Sequence, residues 1–277
     1  NKTEWIVHSA RQDIEALYHL SKRIPSSLFD TQIAASLLNY PLQISYQALT
    51  EILQGVQLDK SFTRFDWTTR PLPANVVEYA LDDVRYLLPN FEKLKHELTL
   101  SKKIQWLDEE TKFLLDYELY NPNIKQICYK TKGLSQLEKK IQDKAIKLVA
   151  WRENNAQQKN KPRKWIMTDQ KLLDYACGKS KLSTRSQQLF DDFVKESSET
   201  LSLSELLTPQ KPLTSSEKIK KNELQRIINS IAETYNLPPE VISTSKSLIR
   251  FIRGDLSAPL CSGWRAKLFN KEELNAK

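Results

Sequence analysis

The chain has 277 residues, with 42 Lys and Arg against 34 Asp and Glu, and its formal charge of +8 favours an acidic partner such as nucleic acid or an anionic surface. Apolar runs are only a few residues long, so no membrane-spanning segment of about 20 residues is encoded. Five glycines, none clustered, exclude a P-loop or dinucleotide fingerprint, and the scattered Cys128, Cys177 and Cys261 suit neither a disulfide framework nor a zinc site. Cysteine usage of this kind fits a reducing, cytoplasmic setting.

The sequence opens on Asn1 and its only methionine is Met167, so the expectation is a processed product or part of a longer one. Charge is uneven. Residues 1–100 hold 10 Lys/Arg against 12 Asp/Glu, residues 101–277 hold 32 against 22, and residues 130–185 alone hold 15 against 5. The chain reads as a slightly acidic head followed by a basic, mostly helical tail.

In chain order, Trp5-Ile6-Val7 predicts a short strand, and Ser9 with Gln12 has the spacing of a capping box before a helix carrying Ile14, Leu17 and Tyr18 on one face. A second strand is expected at Ser27–Asp30 and a helix from Thr31 to Asn39. That order suggests a parallel α/β arrangement. A helix follows around Tyr46–Leu53, then a polar stretch from Leu58 to Trp67. A long helix should start near Pro73 and run through Leu87-Leu88, bent or restarted by Pro89. Beyond Ser101 only helical periodicity is visible. One stripe runs from Leu134 to Trp151; Asn154–Lys164 reads as a basic loop; helices resume at Asp169–Ala176 and Ser186–Val194. After a Ser/Thr/Pro/Lys-rich linker near 202–216, helices are expected at Lys218–Tyr235, Pro238–Ser243, Lys246–Arg253 and around Trp264–Glu273.

The sharpest chemical pair is Tyr79 and Asp83, four apart on one helix and therefore on one face. Asp13 lies in the first turn of a helix that follows a strand, where a carboxylate can face a cleft or simply compensate the helix dipole. Carboxylates suit Mg²⁺ or Mn²⁺, because hard cations prefer oxygen. A phenol beside such a site can orient a water, although a tyrosine on an amphipathic helix can equally be core.

Motif order adds to this reading. His8-Ser9-Ala10-Arg11-Gln12-Asp13-Ile14-Glu15, Asp30-Thr31-Gln32, Leu58-Asp59-Lys60-Ser61, Asp66-Trp67 with Arg70-Pro71-Leu72, and Tyr79–Pro89 occur in fixed succession. Over residues 4–98 this series resembles the ribonuclease D family, 3′→5′ exoribonucleases of the tyrosine-containing subclass of the DEDD superfamily. The resemblance implies a partial ribonuclease H-like α/β exonuclease domain followed by all-α HRDC-type helical domains. On it, Asp13 matches the second exonuclease motif, and Tyr79 with Asp83 matches the Y-x-x-x-D third motif. Two divalent ions would then act on the 3′-terminal phosphodiester. Asp83 would ligate the water-activating ion, Asp13 would hold the second, and Tyr79 would orient the water. Asp82 is out of register and reads as a solvated helix residue. His8 belongs to a matching block but suits a structural role as well as a substrate-binding one. Lys60, Ser61, Arg64 and Trp67 lie where the substrate strand would approach in the related fold.

The family's first motif, a D-x-E on a leading strand, is not found ahead of Asp13. The 277-residue polypeptide is therefore expected to lack two of four metal-binding acids and to be inactive by itself, with Trp5–Val7 left as an unpaired edge. The tail resembles an HRDC domain through Val149-Ala150-Trp151-Arg152-Glu153, Lys164-Trp165-Ile166, Asp169 and Leu172-Leu173. The glycine-containing turn expected between its later helices is not placed, and Ser183-Thr184-Arg185-Ser186 stands as a short link instead. The expected divisions are 1–100 for the exonuclease part, 101–136 for a helical connector, 137–200 for an HRDC domain and 201–277 for a second HRDC-like domain. Lys161, Arg163 and Lys164 are the candidate RNA contacts of the tail, against the alternative of a merely solvated charged face. The function implied is trimming of RNA 3′ ends, tRNA precursors above all, by a monomer without membrane contact. A non-catalytic RNA-binding helical protein and a DNA proofreading or repair exonuclease are the alternatives.

Overall fold

A computed structural model of the chain describes residues 3–59, 61–196 and 211–269. Two compact units form, one from Asn1–Tyr120 with Leu213–Lys277 and the other from Asn121–Pro212.

In the first unit, β1 (Trp5–Val7) and β2 (Leu28–Asp30) pair in parallel, Trp5 against Leu28 and Val7 against Asp30. The crossover between them is α1 (Arg11–Ser21), which buries Ile14 and Tyr18, four residues apart on one face. The α/β reading therefore holds. β1 is not left unpaired as expected, because this crossover delivers β2 to one of its edges. The capping box does not form either. Ser9 adopts a left-handed φ of 60°, and the cap position falls on Ala10, whose own side chain offers no acceptor. The acceptor comes instead from Asp30 on the neighbouring strand.

Asp30 also caps α2 (Thr31–Leu37), and Ser45 caps α3 (Tyr46–Gln54). The long helix expected through Leu88 is two helices, α4 (Ala74–Arg85) and α5 (Leu87–Leu100). The break comes at Tyr86, three residues before the proline. Pro89 thus occupies the first turn of α5, where its missing N–H would have had no helical partner. α6 (Ile104–Thr111) and two short 3₁₀ turns close this stretch.

The second unit holds α7 (Ile124–Lys130), α8 (Lys139–Gln158), α9 (Arg163–Ile166), α10 (Asp169–Ala176) and α11 (Thr184–Glu196). Its core joins Ile146, Val149, Leu172 and Phe190, with Trp151 edge-on to Phe190 at 5.9 Å. Leu134 is buried but lies in a 3₁₀ turn ahead of α8. The loop expected at Asn154–Lys164 is only four residues, because α8 continues to Gln158 and α9 starts at Arg163. Asn155, buried, donates to the Trp151 carbonyl at 2.9 Å and so lets the polar sequence stay helical. Arg152, 1% exposed, reaches the Asp169 carboxylate at 2.7 Å and the Met167 carbonyl at 3.2 Å. Between α10 and α11 stands Gly178, with φ 73°. Lys179 N–H donates to Asp174 O at 2.8 Å and Gly178 N–H to Tyr175 O at 3.2 Å, the paired bonds of a Schellman C-cap.

The chain then returns to the first unit as α12 (Ser215–Tyr235), α13 (Pro239–Ile242), α14 (Ser245–Ile252) and α15 (Gly263–Leu268). A capping box at Thr214 and Glu217 starts α12. The compact units thus redraw the expected boundaries. Residues 101–136 are split between the units, and 213–269 share one core with the α/β segment, because Leu224, Ile228, Ile231 and Trp264 are buried in the same cluster as Phe29, Leu37, Leu49 and Leu94. Glu110 fixes this join by accepting from Trp264 Nε1 at 2.8 Å and from both terminal nitrogens of Arg265. Lys103, 6% exposed, donates to the carbonyls of Leu37 at 2.8 Å and Tyr235 at 2.7 Å, closing the C-terminal ends of α2 and α12. Among the described residues no helix is long and apolar enough to cross a membrane.

Candidate active site

The turn between β1 and α1 carries Asp13 and is built on Asp30. This carboxylate, 2% exposed, accepts the N–H of Ser9 at 3.0 Å and of Ala10 at 2.8 Å through its two oxygens. One of them also accepts the N–H of Gln32 at 2.9 Å. Neither strand nor helix could supply those acceptors, so the buried charge is stabilised by orphan donors. Asp13 itself is exposed on the first turn of α1, and its carboxyl sits above the ordinary aspartate range because of partial desolvation and then the charge of Asp30.

His8 is half-buried behind this turn. Its Nε2 lies 2.9 Å from the Ile44 carbonyl and its Nδ1 2.9 Å from the Thr31 hydroxyl. Burial holds the imidazole below its ordinary value despite the Ile44 carbonyl and the Asp30 charge. Both ring nitrogens are engaged by the fold, which favours positioning over substrate contact.

Tyr79 and Asp83 stand on α4, one turn apart. The Tyr79 hydroxyl is 3.3 Å from the Thr63 hydroxyl, and its ring packs against Phe62 and Trp67 with centroids 5.8 and 6.0 Å away. Trp67, 39% exposed, also meets Phe65 edge-on. Aromatic faces with a solvent edge, beside an exposed Arg64, are suited to stack bases and meet phosphates. Ser61, also exposed, is held by its own loop, its hydroxyl donating to Asp59 at 2.6 Å. Lys60 lies outside the described residues. Asp83 is exposed, and desolvation followed by the neighbouring Asp82 charge raises its carboxyl above the usual range. Asp82 is not simply solvated, since Arg85 pairs with it at 2.5 Å.

Two residues that the sequence reading passed over organise these acids. Asp30 is the first. Tyr46 is the second, with its hydroxyl donating to the Asp82 carbonyl at 3.0 Å and its ring edge-on to His8 at 5.7 Å. The signal for Asp30 was its place at the end of the second strand, in a quoted motif; nothing local marks Tyr46, whose partner is 36 residues away.

Asp13 and Asp83 offer hard oxygens of the right chemistry for Mg²⁺ or Mn²⁺. Among the described residues, however, no three His, Cys, Asp or Glu come together as a metal-holding group. Asp13 and Asp83 supply oxygen ligands of the right kind and do not by themselves make such a group. In the second unit Lys161, Arg163 and Lys164 are all exposed, and Arg163 approaches Glu153 at 3.5 Å. Trp165 beside them is 77% exposed.

Residues 1–99 match the 3′-5′ exonuclease family. A ribonuclease D of Bartonella henselae is 33% identical across 96% of this chain and 70% of its own length. One of Sphingobium indicum is 37% identical across 62% of this chain and 44% of its own. The fold is shared with the crystal structure of Escherichia coli RNase D, described as an exoribonuclease involved in structured RNA processing. Its TM-score is 0.80 at 22% identity, covering 99% of this chain and 78% of that one. The matched segment and these relatives define the class, that of the 3′-5′ exonucleases. The chain belongs to the ribonuclease D family.

Proposed function

We propose that this chain carries the Asp13, Tyr79 and Asp83 portion of a metal-dependent 3′→5′ exoribonuclease that shortens structured RNAs, tRNA precursors in particular, to release nucleoside 5′-monophosphates. The observation that carries the reading is the Tyr79 hydroxyl, fixed by Thr63 within an exposed aromatic cluster one helical turn from Asp83. Bound divalent ions would supply an activated water and stabilise the leaving 3′-oxygen. Asp83 and Asp13 would each hold one ion, Tyr79 would orient the attacking water, and Trp67 with Arg64 would seat the terminal nucleotides. The exposed Lys161, Arg163 and Lys164 would hold RNA by its phosphates. The helical segments would serve as HRDC-type modules of a monomeric, cytoplasmic enzyme.

The test is stepwise 3′ shortening of a 5′-labelled tRNA precursor, with and without Mg²⁺. It compares the 277-residue polypeptide with the same chain preceded by a segment bearing a D-x-E strand. Mg²⁺-dependent trimming by the longer protein only, lost in Asp83→Asn, is expected. Trimming by the 277 residues alone would reject the need for two further acids. A deoxy-substrate degraded as fast as RNA would favour a DNA exonuclease, and RNA binding with no trimming by either protein a binding role.

A further inference from the structure

We propose that the second unit holds a nucleotide-binding cleft, formed by α8, the C-terminal turn of α10 and α11, separate from the basic loop at Lys161, Arg163 and Lys164. The cleft has a volume of about 680 Å³ and is bordered by Lys144, Tyr175, Ser180, Lys181, Thr184 and Gln188. That is the size range of small-ligand sites. Its distinguishing feature is a pair of hydroxyls. Tyr175 is 3% exposed, and neither its hydroxyl nor that of Ser180 has a hydrogen-bond partner among the described residues. Buried hydroxyls are ordinarily paired, so two orphans bordering one cleft point to a ligand that supplies both partners.

Charge narrows the ligand. Asp192 pairs with Lys195 at 3.8 Å, while Asp191 accepts from the Gln187 amide at 2.8 Å and keeps its charge. Lys144 and Lys181 make no ion pair among the described residues, so the lining carries one positive charge in excess and two ammonium groups that can turn to an anion. A phosphate for the lysines, beside hydroxyl or ring-nitrogen groups for Tyr175, Ser180 and Gln188, is the chemistry of one nucleotide unit. The unit could come from an RNA chain or from a free monophosphate. The geometry of the turn explains why the cleft persists, because the Gly178 Schellman bonds hold Lys179 and Ser180 over the end of α10.

The test is calorimetric titration of the 277-residue chain with AMP, the trinucleotide ApApA and inorganic phosphate. Binding of AMP or ApApA at least about tenfold tighter than phosphate is expected, weakened about tenfold in Lys144→Gln/Lys181→Gln. Tyr175→Phe should also weaken it while leaving the melting temperature unchanged or raised, since only an unpartnered oxygen is removed. Ser180→Ala gives a second, independent reading. AMP binding as tightly as ApApA identifies a free-nucleotide site, and ApApA alone identifies an RNA-chain site. No binding by either nucleotide, phosphate matching them, or binding unmoved in both hydroxyl variants overturns the proposal.

Discussion

The Tyr46 hydroxyl donates to the main-chain carbonyl of Asp82 at 3.0 Å, and the same oxygen accepts the N–H of Tyr86 at 3.2 Å. One side chain on α3 therefore closes both backbone groups at the junction where α4 ends and α5 begins. Asp83 sits between those two residues, so its backbone is set by a residue nearly 40 positions upstream. Because the Tyr46 ring also meets His8 edge-on, the two segments bearing Asp13 and Asp83 converge on one phenol.

Tyr46→Phe should cost about 1–2 kcal/mol of stability, the scale of a lost hydrogen bond plus an unpaired buried group. Denaturant unfolding measures this. The same variant, in a protein with the complete acid set, should require more Mg²⁺ for half-maximal trimming, because Asp83 loses its fixed backbone. Unaltered unfolding would show that water replaces the phenol without loss.

Asp30→Asn should be more damaging, by about 2–4 kcal/mol, since an amide keeps one accepting oxygen and turns a donor toward the N–H groups it must satisfy. Thermal unfolding should show the loss. Amide exchange at Ser9, Ala10 and Gln32 should accelerate together, because one carboxylate serves all three.

Asp13→Asn and Asp83→Asn should separate function from stability. Both carboxyls lie above the ordinary aspartate range, so the fold favours their protonated forms. Stability from these groups is present at low pH and is lost as pH rises through the folded values. Removing either charge at neutral pH should therefore leave the melting temperature unchanged or raised, while trimming by the chain joined to a D-x-E strand falls at least about 100-fold. Mg²⁺ affinity should decline on acidification at a pH above the ordinary aspartate value of 3.8, since protons compete with the ion.

The parallel strand pair was legible because Trp5-Ile6-Val7 and Leu28-Phe29 are short apolar runs separated by one amphipathic crossover. Asp13, Tyr79 and Asp83 were legible because their spacing and motif order are local properties. The cap that Asp30 gives α2 is local, but its bonds to Ser9 and Ala10 and those of Tyr46 to Asp82 and Tyr86 cross long sequence separations, which no periodicity encodes. The capping box at Ser9 failed for the same reason, as a buried acid from β2 outcompeted the local serine. The placement of residues 213–269 was equally hidden. The apolar face of α12 shows that it packs, and only the shared core with Leu37 and Leu94 shows on what.

The imidazole of His8 gives a pH signature in the acid range. Its Nε2–H donates to the Ile44 carbonyl, and its Nδ1 lies 2.9 Å from the Thr31 hydroxyl, which itself donates to the Val7 carbonyl at 3.0 Å. Burial lowers the folded value below 6.5, so the unfolded chain binds the proton more readily. Stability from His8 is thus fully present above 6.5 and is lost as pH falls through the folded value. Denaturant midpoints measured from pH 7.5 to 5 should decline more steeply for the native chain than for His8→Gln, whose amide can still donate to Ile44 without titrating. The other acids and bases titrate in both proteins, so the difference between the two profiles isolates the ring. Parallel profiles would mean that the ring stays solvated enough to take up its proton without disturbing the turn that carries Asp13.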